Sequence, residues 1–321
     1  MAHTTKARLR AAVGALLFAA TLVAFGPSAR AQQQQPQQLA AVSSLKDVPV
    51  TDSLSSRGAR RENGRAPAAA RAAQQQEEEE EFIKPARPGV ANPAEIQKAG
   101  VLQVEFGYDG LFRSDEFRSQ HTAPLSLRFA ATERLLLVLD LDAVKSETDE
   151  ATRERETGVG DTRLGFQFVA LKDTEEHPAL AFAYSVKLPT ASEEKQLGTG
   201  RFDHKLTFLL SKKFGENTDL DFNGAFLVNG REGASGWDHG GLGALSVSRE
   251  FENDWGVEGE LAGTSLDDVL PRGLYALGAV TRKVGKRARL DWGARFGLNP
   301  AAPRVGLFGG VTFGAGGYKK Q

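Results

Sequence analysis

The sequence predicts an all-β chain, folded as a closed antiparallel transmembrane β-barrel of about twelve strands behind a disordered N-terminal periplasmic segment. Three observations predict it. Residues 97–321 break into short windows in which apolar and polar side chains alternate. The connections between these windows are alternately long and short. A secretion signal stands in front of them. Alternation with period 2 is the mark of a strand whose two faces meet different surroundings. Antiparallel strands can cross a bilayer only when the sheet closes on itself, because no edge is then left with bare backbone polar groups.

The strands follow from the alternation, window by window. Leu102, Val104, Phe106 and Tyr108 share one face, with Gln103 and Glu105 on the other. Leu125, Leu127 and Phe129 alternate with Ser126 and Arg128, and Leu135, Leu137, Leu139 and Leu141 form a stripe opposite Arg134, Asp140 and Asp142. Leu164, Phe166 and Phe168 alternate with Arg163 and Gln167. Leu180, Phe182, Tyr184 and Val186 oppose Ala181, Ala183, Ser185 and Lys187. Leu206, Phe208 and Leu210 oppose Lys205, Thr207 and Ser211, and Leu220, Phe222 and Phe226 oppose Asp219, Asp221 and Asn223. The later windows are weaker. Leu245 and Val247 oppose Ala244, Ser246 and Ser248, and Trp255, Val257 and Leu261 oppose Glu258 and Glu260. Tyr275, Leu277 and Ala279 mark a glycine-rich strand. Leu290, Trp292 and Phe296 oppose Arg289, Asp291 and Arg295, and Val305, Leu307, Val311 and Phe313 end the set. No window has the 3.6-residue period of a helix. The longer connections are 110–121, 145–157, 190–201, 229–240, 265–271 and 298–303. The shorter are 131–132, 173–177, 215–217, 252–254 and 284–286. With the first strand starting on the periplasmic side, every long loop falls outside, as in outer-membrane barrels. A secreted β-sandwich is the competing architecture. It shares the alternation but has no need of systematic loop asymmetry.

The N-terminus divides the chain further. Lys6, Arg8 and Arg10 precede an apolar run from Ala11 to Phe25, and Ala29-Arg30-Ala31 completes a signal-peptide layout with cleavage after Ala31. The run is about 15 residues, short of the roughly 20 that a spanning helix needs. Residues 1–31 are therefore read as the signal, 32–96 as a low-complexity periplasmic segment and 97–321 as the barrel. The middle segment holds Gln32 to Gln35, Gln74 to Gln76 and Glu77 to Glu81, and has too few large apolar residues to offset the entropy of ordering. Its alternative role is a lumen plug or partner-binding arm.

Composition narrows the function. The chain has no cysteine, which excludes disulfides, thiolate metal sites and thiol catalysis. Loss of the signal removes four cations and no acids and takes the formal net charge from −1 to −5, which is unlike a nucleic-acid binder. Thirty-five glycines and 19 phenylalanines against a single methionine suit a β-structure in which backbones crowd.

Several stretches in order resemble the outer-membrane family known as "putative MetA-pathway of phenol degradation". Arg87-Pro88-Gly89, followed by Lys98-Ala99-Gly100 and the strand Val101 to Tyr108, is similar to the family's opening. Leu127-Arg128-Phe129 with Thr132-Glu133-Arg134-Leu135 resembles its second hairpin, and Gly158-Val159-Gly160-Asp161 its G-x-G-D element. Leu188-Pro189-Thr190, then Gly198-Thr199-Gly200 and Asp203, is similar to its LPTG…GTG…D loop, with Ala191 in place of a glycine. The resemblance implies an outer-membrane barrel with an uptake role for aromatic or other hydrophobic compounds. Such barrels end on an aromatic residue that the assembly machinery reads. Here Phe313 is followed by eight residues, so either that tail is tolerated or Tyr318 belongs to the last strand.

No motif supplies chemistry. Gly158-x-Gly160 leads into a strand, so no helix N-terminus is there to hold a pyrophosphate. Gly198 to Arg201 lacks the Lys-Ser/Thr of a P-loop. His3, His121, His177, His204 and His239 have no metal-ligand spacing, and no serine shares the strand face near His204. No enzyme activity and no cofactor are expected. The functional handle is the polar face of the strands, which places Glu105, Arg128, Asp140, Asp142, Arg163, Lys187, Lys205, Asp219, Asp221, Glu258, Glu260, Arg289, Asp291 and Arg295 in the lumen. Charges of both signs in a narrow ring form either a salt-bridged filling or a polar conduit that screens solutes. The expected function is an outer-membrane channel for passive uptake of small molecules. Its partners are outer-membrane lipid, the barrel-assembly machinery and a small-molecule solute, with no nucleic acid. The alternatives are an outer-membrane hydrolase, a closed structural barrel, and a secreted β-sandwich binding module.

Overall fold

A computed structural model describes residues 81–317 apart from residue 232. The signal peptide, most of the low-complexity segment and Tyr318 lie outside the described residues. Among the described residues thirteen strands are formed: β1 (Val101–Phe112), β2 (Phe117–Ala130), β3 (Leu135–Asp149), β4 (Arg155–Gly158), β5 (Thr162–Leu171), β6 (Ala179–Leu188), β7 (Asp203–Phe214), β8 (Thr218–Gly230), β9 (Trp237–Glu250), β10 (Trp255–Thr264), β11 (Gly273–Val284), β12 (Ala288–Gly297) and β13 (Val305–Gly316). Each pairs antiparallel with its neighbours, and β1 pairs with β13 in an unbroken register from Val101 opposite Gly316 to Phe112 opposite Val305. That last pairing closes the sheet. β4 pairs only with the outer half of β3, while the inner half of β3 pairs with β5, so twelve strands make the ring and β4 is a hairpin standing above it.

The exterior is apolar. Phe106, Leu137, Phe166, Phe182, Leu206, Phe226, Leu261 and Leu307 are all strongly exposed, Phe226 to 54%. In a sandwich these side chains would be hidden between two layers. Leaving so many exposed is uphill in water and downhill in hydrocarbon, and the membrane barrel follows.

Two expected connections are corrected, and one strand whose facing the sequence left open is given its facing. The stripe Tyr275, Leu277 and Ala279 faces inward, exposed to only 2%, 6% and 6%, while Leu274 faces out. The reason is register: Leu277 lies opposite Arg295 of β12 and must share its inward face, and the inner wall there is greasy, with Leu277 and Ala279 packing on Phe308. The connection expected over 110–121 is only residues 113–116, because Ser114 Oγ accepts hydrogen bonds from Glu116 N and Phe117 N and tightens the turn. The loop expected over 145–157 is mostly the β3–β4 hairpin, turned by Asp149 Oδ1 accepting from Ala151 N at 2.8 Å and Thr152 N at 2.6 Å. Loop asymmetry persists: the longest strand-free connections, 189–202 and 265–272, lie at one end, and tight turns such as 215–217 and 285–287 lie at the other.

Candidate functional site: an occluded lumen

The chain ahead of β1 enters the barrel. Lys98 N donates to Glu81 O (3.2 Å), so the segment between them is a closed loop that rises from the short-turn end and returns to it. Its backbone has no ladder of its own inside the ring, and buried N–H and C=O groups must find partners. Wall side chains supply them. On the rising limb, Lys84 N donates to Gln103 Oε1 (2.7 Å), Gln103 Nε2 donates back to Lys84 O (2.9 Å), and Ala86 N donates to Glu105 Oε1 (2.9 Å). At the tip, Val90 N and Ala91 N both donate to Glu260 Oε2, at 2.6 and 2.7 Å. On the returning limb, Asn92 and Asn223 exchange two hydrogen bonds of 2.8 Å, Ala94 N donates to Ser211 Oγ (2.7 Å), and Gln97 Nε2 donates to Arg128 O (2.8 Å). Gln167 Nε2 donates to the carbonyls of Pro93 and Ala94.

One side chain of the loop reaches across. Arg87 pairs with Asp291 of β12 through Nε (3.2 Å) and Nη2 (3.1 Å). Gly107 and Gly310, which face each other in the β1–β13 register, leave the wall smooth beneath it. A Cβ on either would stand 2.7 or 2.6 Å from the Arg87 guanidinium. Apolar contacts complete the seating: Val90 and Ala91 against Leu227, Leu242, Ala244 and Ala262, and Ala94 against Ala179, Ala181 and Leu209.

The loop divides the lumen. Toward the long-loop end lies a cavity of about 470 Å³, onto which Glu105, Arg128, Asp140, Asp142, Arg163, Lys187, Lys205 and Arg295 open. Toward the short-turn end a space of about 60 Å³ remains, beside Asp219, Asp221, Glu258 and Arg289. Glu260 and Asp291 hold the loop itself. Several of the charges are paired across strands and with loops. Arg295 meets Asp109 at 3.0 Å, Arg128 meets Glu105 at 3.8 Å, and Lys187 lies between Asp161 (3.6 Å) and Asp203. Arg163 and Lys205 both meet Asp268, from the 265–272 loop. Burial alone would raise the Asp268 carboxyl, but the two cations outweigh it and hold it well below the usual carboxylate range. Burial would lower the Lys84 ammonium. Glu81 and Glu95 outweigh that and raise it.

Asp268, Arg87 and Asp109 join the lumen's charge network, and alternation alone does not reveal them. Asp268 sits in a polar connection, Arg87 precedes the first strand, and Asp109 lies in a window ending in glycine. The signal for Arg87 was its place in the Arg-Pro-Gly stretch, which forms the tip region of the loop. The G-x-G-D and LPTA stretches also meet, with Asp161 Oδ1 accepting from Thr190 N (3.0 Å) and Ala191 N (2.9 Å). Three histidines have aromatic partners: His121 hydrogen-bonds with Tyr108 and His204 with Tyr184, both at 2.7 Å, and His239 stacks on Phe226.

Comparison with known proteins gives three results. The sequence pattern of the family described as "Putative MetA-pathway of phenol degradation" matches residues 86–314. The fold is similar to that of the COG4313 outer membrane channel from Pseudomonas putida F1, at 16% identity and a TM-score of 0.53, covering 72% of this chain and 100% of that one. Weaker overlaps, with the toluene transporter TodX from Pseudomonas putida (11% identity, TM-score 0.39, 70% and 92% covered) and the outer membrane phospholipase A from Escherichia coli (12%, 0.39, 73% and 95%), carry no functional argument. No curated protein matches the chain.

Proposed function

The chain belongs to the family described as "Putative MetA-pathway of phenol degradation", and from that premise we propose that it is a passive channel of the bacterial outer membrane that admits small molecules, with aromatic and other hydrophobic compounds as its cargo. The observation that carries this reading is how the obstruction is held. The segment 82–97 is attached to the wall by side-chain hydrogen bonds and one bidentate ion pair, whereas the wall itself is a continuous backbone ladder. A ring that filled itself for stability alone would have no need of a cavity of about 470 Å³ above a separable segment. The interior also offers grease beside charge, with Leu227, Leu242, Leu270, Tyr275 and Phe308 on inward faces, which suits a cargo with an apolar body. In this reading the long loops face outward and the N-terminal segment enters from the periplasm.

Planar-bilayer recordings test it. The mature chain is expected to give small discrete conductance steps. Deletion of residues 83–96, with folding checked by heat-modifiable gel mobility, is expected to give steps several times larger. Bilayers that stay sealed with both proteins would point to a structural barrel and end the proposal.

A further inference from the structure

The 265–272 loop leaves the barrel rim between β10 and β11 and drops into the lumen, where it meets the wall formed by β5 and β7. Asp268 is the contact. Its Oδ1 takes Arg163 Nη1 at 2.7 Å, its Oδ2 takes Lys205 Nζ at 2.6 Å, and its side chain is 4% exposed. Each carboxylate oxygen thus has its own cation.

The neighbouring cation shows what is unusual. Lys187, on β6 between the other two, is neutralised by Asp161 and Asp203, which stand at the starts of the two adjoining strands β5 and β7. Lys205 has Asp268 as its ion-pair partner among the described residues, and Asp268 also holds Arg163 at bonding distance. Asp140 of β3 lies opposite Arg163 in the β3–β5 register without an ion pair to it among the described residues, so the carboxylate that meets both cations at bonding distance is the one brought by the loop. The residue after Asp268 is Val269, which is 54% exposed and opens on the cavity, so the inserted group is a carboxylate carrying an apolar neighbour. Leu111, Val138, Leu209 and Leu242 supply apolar wall around the same space. A cavity of about 470 Å³ is of the size that holds one small ligand.

We propose that Arg163 and Lys205 form a binding site for the carboxylate of a small amphipathic solute, an aryl carboxylate in the first instance, and that Asp268 fills this site as a tethered surrogate until such a solute displaces it. The proposal rests on the channel reading and names one class of its cargo. Displacement releases the tie between the loop tip and the β5–β7 wall, so binding and loosening of the tip are one event. The loop has other ties: Asn229 Nδ2 donates to Asp267 O (2.7 Å), Tyr275 Oη donates to Pro271 O (2.6 Å), Leu266 packs against the Leu242 cluster, and Leu270 packs on Tyr275, Ala302 and Val90. A tethered competitor acts at an effective concentration in the millimolar range or above, so the surrogate weakens solute binding and its removal strengthens it.

Calorimetric titration of the full mature chain in detergent, with benzoate, benzyl alcohol and acetate as probes, tests the site. Asp268→Asn, which keeps the shape and removes the charge, is expected to bind benzoate at least about tenfold more tightly than the unmodified chain. Adding Arg163→Gln and Lys205→Gln to that variant is expected to abolish the gain. Asp268→Ser serves in the same way should the asparagine variant not fold. No gain of benzoate affinity in the folded Asp268 variant overturns the proposal, as does equal binding of benzyl alcohol or of acetate. Conductance in potassium chloride without any probe reports on the channel reading separately. A sealed bilayer with intact benzoate binding would end that reading and leave the site, and conductance without benzoate binding would do the reverse.

Discussion

Glu260 concentrates the energetics of the plug in one side chain. A single carboxylate oxygen accepts two backbone N–H groups, from Val90 and Ala91, at the innermost point of the inserted loop. Replacing Glu260 with alanine leaves both donors without an acceptor, and a buried unsatisfied amide costs about 1–3 kcal/mol. The expected result for Glu260→Ala is a loosened loop in an intact barrel, read as a higher mean conductance and faster proteolysis between residues 82 and 97. Unchanged conductance would mean that the Arg87–Asp291 pair and the Asn92–Asn223 exchange hold the loop unaided.

At the scale of elements, the two inserted segments are held by charge in opposite senses. The Asp268 carboxyl ionises below the ordinary value when the 265–272 loop is docked. Its contribution to docking is therefore fully present above the unfolded value of about 3.9 and is lost only as pH falls through the lower, docked value. Lys84 is raised, so its contribution to the N-terminal loop is present below about 10.4 and lost as pH climbs through the higher folded value. Conductance is expected to stay level from pH 7 down to about 4.5 and to rise only in stronger acid. A midpoint near pH 6 would show that another group governs the loop. β11 carries the complementary lesson: its apolar stripe points inward because its partner strands dictate register, whatever its own composition prefers.

The whole molecule is a ring with its grease outside, and that inversion is testable at one position. Phe208 lies near the middle of β7 on the outer face, edge-on to Phe182 at a centroid distance of 5.7 Å. Phe208→Arg is expected to destabilise the barrel in bilayers by about 2–4 kcal/mol, the cost of a cation on the lipid face near the midplane, measured by urea unfolding from liposomes. The same change in a water-exposed surface would cost nearly nothing. A neutral outcome would remove Phe208 from the membrane-embedded band.

The sequence by itself determined the strands, their facing at most positions, their number in the ring and the loop asymmetry, because period-2 alternation is a local signal that each segment carries alone. It also placed the charged set from Glu105 to Arg295 on polar faces. Only the tertiary structure decided which charges meet, since Asp268 reaches Arg163 and Lys205 from more than sixty residues away in the chain. It alone turned Tyr275, Leu277 and Ala279 inward, and it alone put residues 82–97 in the lumen, where a segment with no periodicity gains its order from hydrogen-bonding groups on seven different strands. Pairing across a closed ring is a property of the ring, and a chain read in one dimension does not contain it.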